Sequence, residues 1–214
     1  MVEIMTKIKI CGIKTLKDAL AAIAAGADYL GFNFYPKSVR FISKSASAEI
    51  TSVLNREHPQ IKLVGVFVNS SVDEIKDILQ TCQLDLAQLH GDETPEIFAQ
   101  LTSHAFRAFR GIPESNAGYE RNEAPAMLID AAVKGVYGGS GVTADWTAAA
   151  ELAKKYPLLL AGGLTPENVA DAVRQVQPWG VDVASGVESA PGEKDAEKMA
   201  RFVKAVKQTM DDGR

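Results

Sequence analysis

The sequence is poor in the residues that bind metals and build disulfide frameworks. Its 214 residues include two cysteines, Cys11 and Cys82, and three histidines, His58, His90 and His104. The cysteines share no CxxC spacing, which argues against both a disulfide scaffold and a cysteine zinc site. No two histidines stand at metal-ligand spacing, so a bound transition metal is not expected. Long hydrophobic runs are missing as well. No apolar stretch approaches the ~20 residues of a membrane span. Charges also interrupt the opening MVEIMTKIKIC too early for a signal-peptide core. There is no basic excess: 23 Lys and Arg face 27 Asp and Glu, a net charge of −4. Nucleic acid and anionic membrane are therefore poor partners, and any anion site must be local. The expected location is the cytoplasm. A G-x-G-x-x-G turn after the first strand is also lacking; CGIKT (Cys11 to Thr15) stands there.

What is present is rhythm. KIKIC (Lys7 to Cys11), DYLGFNF (Asp28 to Phe34), IKLVGVFV (Ile61 to Val68) and LDLAQLHG (Leu84 to Gly91) read as strands. Ala105 to Gly111, AMLID (Ala126 to Asp130), Leu158 to Ala161 and the alternation of Val181 and Val183 complete a set of eight. Helical stretches fall between them. One follows the Thr15 cap and closes at Gly26, one runs from about Ser45 to Glu57, and one starts at a Ser71/Glu74 capping box. Others are expected from Thr94, over Trp146 to Lys155, from Thr165 with Pro166 at its first position, and over Asp195 to Met210. Pro113 to Pro125 has no apolar stripe and reads as a loop or a degenerate helix; 131–145 is a long glycine-rich loop. Strict strand–helix alternation implies a parallel sheet with right-handed crossovers. Eight units predict an α/β fold, a closed (βα)8 TIM barrel forming a single domain over residues 1–214, rather than an open doubly wound sheet.

In such a barrel every strand's C-terminal end points to the face that carries the active site. The polar residues at those ends are Cys11, Asn33, Asn69, His90, Arg110, Asp130 and Ser185. Asp182 lies within the last strand, and Arg40 lies in the loop after the second. Gly162 with Gly163, and Ser185 with Gly186, open two consecutive strand ends into small turns whose bare N–H groups suit a phosphate. The plainer reading of these glycines is tight turns alone. Cys11 is either a small buried hydrophobe or a thiolate stabilised by the start of the first helix. Asp130 is either a solvated loop carboxylate or, partly desolvated, an acid that works near neutrality. Arg40 is either a solvated loop charge or a guanidinium suited to bidentate contact with a carboxylate, whereas His90 is as readily a hydrogen-bonded structural residue. Cys82, at a helix end, belongs to the opposite face and is expected to be inert. GGSG (Gly138 to Gly141) reads as an anion loop or a mobile cover.

Taken in order, KICGI (Lys9 to Ile13), QLHG (Gln88 to Gly91), Asp130 followed by GGSG and DW, LAGGLTPENV and VDVASGVES closely resemble the phosphoribosylanthranilate isomerases of tryptophan biosynthesis. The resemblance covers nearly the whole chain. It implies an isomerase without metal or organic cofactor that acts on a small phosphorylated substrate. The reaction implied is an Amadori rearrangement of N-(5-phosphoribosyl)anthranilate to 1-(2-carboxyphenylamino)-1-deoxyribulose 5-phosphate. It further implies Cys11 as general base and Asp130 as general acid, with Arg40, His90 and Asp182 beside the substrate. Gly162, Gly163, Ser185 and Gly186 then hold the phosphate. Where many relatives carry lysine after Asp130, this chain has Val142. The alternatives are another phosphosugar-converting barrel enzyme of histidine or tryptophan biosynthesis, or a non-catalytic barrel that binds a phosphometabolite. A monomer is favoured over a dimer.

Overall fold

The structure is a computed structural model that describes residues 6–101, 104–115, 117–121, 123–130 and 146–211. The glycine-rich loop expected at 131–145, with Gly138 to Gly141 and Val142, lies outside these residues. Eight parallel strands close into a barrel in chain order: β1 (Lys7–Cys11), β2 (Tyr29–Asn33), β3 (Lys62–Phe67), β4 (Leu86–Leu89), β5 (Ala105–Arg110), β6 (Met127–Asp130), β7 (Leu158–Ala161) and β8 (Gly180–Val183). Around them pack α1 (Leu16–Ala25), α2 (Lys44–Glu57), α3 (Val72–Thr81), α4 (Pro95–Ala99), α5 (Trp146–Ala153), α6 (Val169–Val176) and α7 (Ala196–Asp211).

Local chemistry sets the helix ends. Thr15 Oγ1 accepts from the Asp18 N–H at 3.1 Å, and Ser71 Oγ accepts from the Glu74 N–H at 3.2 Å. Gly26 closes α1 at φ 107°, a left-handed conformation that costs glycine little. The helix expected from Thr165 begins at Val169 instead. The reason is Asn168, whose Oδ1 accepts from the Thr165 N–H at 2.8 Å and whose Nδ2 donates to Gly163 O at 3.0 Å. That side chain ties residues 163–168 into a turn, and Asn168 stands at the N-cap of α6 without a side-chain cap bond. The described residues between β5 and β6 form no helix, as the missing apolar stripe predicts. Here Tyr119 takes the place of a helix, packing edge-to-face on Phe98 and Phe109. One feature escapes the sequence pattern altogether. After β8 the chain makes a short 3₁₀ turn (Ser185–Val187) and a hairpin, β9 (Glu188–Ala190) with β10 (Glu193–Lys194), before α7.

Strand alternation divides the side chains between two cores. Ile8, Ile10, Leu30, Phe32, Leu63, Ile129, Leu160 and Val181 point outward to the helices. Val64, Leu86, Phe106, Leu128 and Leu159 point inward and fill the barrel, with Tyr29 and Trp179 packed edge-to-face beside them. Lys9, Gln88 and Asp182 also point inward, so the interior turns polar toward the strands' C-terminal ends. Neighbouring strands share three to five rows of paired residues, except β7 and β8, which pair only at Leu159 with Gly180 and Leu160 with Val181.

Candidate active site

A cavity of about 270 Å³ opens at the C-terminal ends of the strands. Cys11, Arg40, His90, Asp130, Asp182, Gly162, Gly163 and Ser185 all line it, so eight of the nine site residues read from sequence converge. Asn33 lines it too, with Oδ1 engaged by the Tyr35 N–H at 2.9 Å. Gly186 stands behind the wall. A Cβ there would collide with the Leu164 carbonyl, so the loops after β7 and β8 touch backbone to backbone. Gly163, at φ 64°, has nothing within 4 Å of where a Cβ would stand and presents an open face. Asn69 and Arg110 do not line the cavity. Asn69 instead ties two loops together, its Oδ1 accepting from the Asp92 N–H at 2.6 Å.

Arg40, Glu188 and Lys194 form one charged cluster at the cavity's edge. The Arg40 guanidinium forks onto Glu188, Nε to Oε1 and Nη2 to Oε2, both at 2.7 Å. The carboxylate foreseen for Arg40 is thus one of the protein's own. Lys194 Nζ, buried, reaches the same Glu188 Oε1 at 2.8 Å and also donates to Ala184 O at 2.9 Å. Burial works against the Glu188 carboxylate, yet the bonds from Arg40, Lys194 and the Gly192 N–H hold its pKa below the usual range. Burial depresses the Lys194 pKa against the pull of Glu188.

A second chain runs across the barrel beneath the cavity. Lys9 Nζ donates to Asp182 Oδ1 at 2.8 Å and to Gln88 Oε1 at 3.0 Å. Gln88 Nε2 lies 2.9 Å from His90 Nδ1. With the amide donating, His90 Nδ1 accepts and the neutral ring carries its proton on Nε2. Burial lowers the His90 pKa, against the pull of Asp130 and Asp182. Cys11 departs from the stabilised thiolate that its place before α1 suggested. Burial pushes its thiol pKa up, Asp182 adds to this, and Lys9 and Lys194 only partly offset it. Loss of water around the sulfur outweighs the two lysines.

Among the described residues, no group of three or more His, Cys, Asp or Glu side chains is arranged to hold a metal ion. No described helix is long and apolar enough to cross a membrane. The sequence model of N-(5′-phosphoribosyl)anthranilate (PRA) isomerase matches residues 8–205.

The chain belongs to the phosphoribosylanthranilate isomerase family.

The N-(5′-phosphoribosyl)anthranilate isomerase of Geotalea uraniireducens is 46% identical over 204 residues, 95% of this chain and 99% of that one. The phosphoribosylanthranilate isomerase structure from Thermotoga maritima aligns with a TM-score of 0.82 at 37% identity, covering 95% of this chain and 100% of that one. A phosphoribosylanthranilate isomerase in complex with reduced 1-(o-carboxyphenylamino)-1-deoxyribulose 5-phosphate gives 0.80 at 35% identity, covering 95% and 100%. Lys9, Gln88, Glu188 and Lys194 were not among the candidates read from the sequence. A signal for Lys9 was there: in KIKIC the two isoleucines take the outward parity, which leaves Lys9 on the same inward side as Cys11. Glu188 and Lys194 carried none, because their strands are too short to show a period.

Proposed function

We propose that this chain catalyses the Amadori rearrangement of N-(5-phosphoribosyl)anthranilate to 1-(2-carboxyphenylamino)-1-deoxyribulose 5-phosphate, with Cys11 as general base and Asp130 as general acid. One observation carries the reading. A thiol on β1 and a carboxyl on β6, three strands apart around the barrel, face one cavity that also meets Arg40 and the open glycine loop of β7. Such a site accepts a ligand with an anion at each end and a sugar between the two proton-transfer groups.

The chemistry follows from those positions. Asp130 gives its proton to the furanose ring oxygen; the ring C–O bond breaks and the anilino nitrogen lone pair forms the C1′=N iminium. The cation acidifies C2′, and the Cys11 thiolate takes that proton, leaving a neutral enolamine. Ketonisation moves the enol proton to C1′ and gives the ketose. Cys11 then holds a proton and Asp130 lacks one, so exchange with solvent resets the pair. Arg40, fixed by Glu188, retains free N–H donors for the anthranilate carboxylate, while His90 and Asp182 bound the sugar. Gly162, Gly163 and the turn from Ser185 seat the phosphate, with Gly186 allowing the two loops to close on each other. Arg40 and Lys194, against Glu188 alone, give this end of the site a positive balance that suits a substrate with two anions.

The direct test is decay of substrate fluorescence with freshly made phosphoribosylanthranilate, coupled to the next enzyme to pull the reaction forward. Turnover that vanishes in Cys11→Ala and Asp130→Asn supports the assignment. A wild-type protein that binds the reduced product analogue without turning over substrate would mark a binding module instead. A monomer fits the large apolar side chains among the described residues that are exposed: Leu20, Val39, Phe41 and Ile112 lie on three different segments. Sedimentation velocity at micromolar concentration checks it.

A further inference from the structure

Below the cavity lies a lysine with no solvent exposure at all. Lys9 and Cys11 stand two residues apart on β1, so both side chains point into the barrel and the ammonium lies one layer beneath the thiol. A common neighbour shows how close they come. A Cβ at Gly31 on β2 would stand 2.7 Å from Cys11 Sγ and 3.1 Å from Lys9 Nζ. The two atoms are therefore no farther apart than those distances together, and only glycine fits beside them. An ammonium has three protons. Two of Lys9's go to Asp182 and Gln88, and the Cys11 sulfur lies on the side shared with Gly31. The proposed rearrangement gives this cation no proton to carry and no anion of the substrate to bind. Asp182 matches the charge of this buried ammonium, which would otherwise be costly.

We propose that Lys9 is a positioning residue for the reaction: its buried ammonium holds the Cys11 side chain from below and stabilises the thiolate that abstracts the substrate proton, while Asp182 tempers that charge. The proposal rests on the reading of Cys11 as base. Four charged groups face the sulfur: Lys9 from its own strand, Asp182 from β8, Lys194 from β10 and Arg40 from the loop after β2. Lys9 is the largest of the influences favouring the thiolate. It acts through an interior where charges are weakly screened. As a fixed cation it also keeps the sulfur's two states within reach of each other despite burial.

The test reads Cys11 directly, by the pH dependence of its alkylation with iodoacetamide, mapped by peptide mass. Lys9→Met should raise the midpoint and cut the rate at pH 7 by at least about tenfold, one unit of thiol ionisation. That variant leaves Asp182 unpaired, so Lys9→Met/Asp182→Asn removes both charges and keeps the barrel interior neutral. Its midpoint should also rise, by less, because the cation is the stronger of the two influences on the thiol. A folded double variant with the wild-type alkylation profile would overturn the proposal. The unaltered enzyme supplies a second readout. With ¹⁵N-labelled lysine, the Lys9 Nζ resonance should shift as Cys11 ionises, and should lose that shift after methylthiolation of Cys11. An Nζ signal indifferent to Cys11 also overturns it. Neither measurement depends on turnover, whereas the base role stands or falls on the activity of Cys11→Ala, so the two failures are distinct.

Discussion

At the scale of single residues, two side chains are asked to move protons and the rest to hold a ligand. General acid–base groups supply ~10²- to 10⁴-fold, so Cys11→Ala and Asp130→Asn should each lower kcat by at least ~10²-fold with little change in KM. Cys82→Ala is the control. Its thiol is buried against the Lys44 carbonyl at 3.4 Å, and its loss should cost about 1 kcal/mol of stability without touching turnover. The pH profile carries a sharper signature. Thiols ionise above carboxyls, so in the wild-type enzyme kcat/KM should fall at alkaline pH through the Cys11 ionisation, above the ordinary cysteine range because burial raises it. Asp130→Asn no longer needs a protonated acid, and its residual kcat/KM should rise with pH through that same midpoint. A falling limb retained in the variant would exclude Cys11 as its source. His90 makes the opposite demand on the fold. Its pKa is lowered, so its contribution to stability is present above the unfolded value of ~6.5 and lost as pH falls through the folded one. His90→Asn should flatten the acid side of a plot of urea midpoint against pH. In kind, though not in circumstance, these residues were legible. A cysteine and an aspartate at strand ends can be picked from the sequence, but the depth at which the sulfur is buried cannot, and that depth raises its pKa.

At the scale of elements, the loops after β7 and β8 invite two substitutions with different outcomes. Gly163→Asp places a carboxylate into the open face, at a left-handed residue where a side chain costs ~1–2 kcal/mol in strain. The protein should fold, and inhibition by inorganic phosphate should weaken at least about tenfold through charge repulsion. Gly186→Ala drives a methyl into the Leu164 carbonyl, and a loss of thermal stability should come first. Competitive inhibition constants and melting temperatures separate the two; equal effects on both quantities would mean that the loops do not divide the work as proposed. The hairpin of β9 and β10 has its own test. Glu188→Gln weakens the fork on Arg40 and should raise KM more than it lowers kcat. The elements themselves were largely readable because strand alternation and helical stripes differ in period. The start of α6 was not. Thr165, Pro166 and Glu167 carry the sequence marks of a helix start, but the Asn168 amide has a better pair of partners in the Thr165 N–H and the Gly163 carbonyl.

At the scale of the whole molecule, the alternation of strands and helices was enough to foresee a closed barrel, since parallel neighbours joined by right-handed crossovers leave few other arrangements. Which side chains meet across its interior was beyond reach. Lys9 and Asp182 are 173 positions apart, and no local pattern states that β1 and β8 lie in the register that pairs them. The proposed chemistry rests entirely on side chains, so activity should survive exhaustive dialysis against EDTA; loss that a divalent cation restores would place the enzyme in another class. The short pairing of β7 with β8 has a consequence for how the molecule breathes. These strands share two rows, fewer than any other neighbours in the barrel, and each ends in a loop proposed to grip the phosphate. A ligand held by both loops is a clasp across the thinnest seam of a closed ring. It can bind only the shut form, so binding and closure are linked, and a ligand at a hundred times its Kd should add ~2.7 kcal/mol against opening. Hydrogen exchange should register that gain unevenly. The amides of β7 and β8, fast among the strands in the free protein, should slow most when the reduced product analogue is bound, while those of the five-row β2–β3 pair change little. Uniform protection around the barrel would show that the ring opens only as one piece.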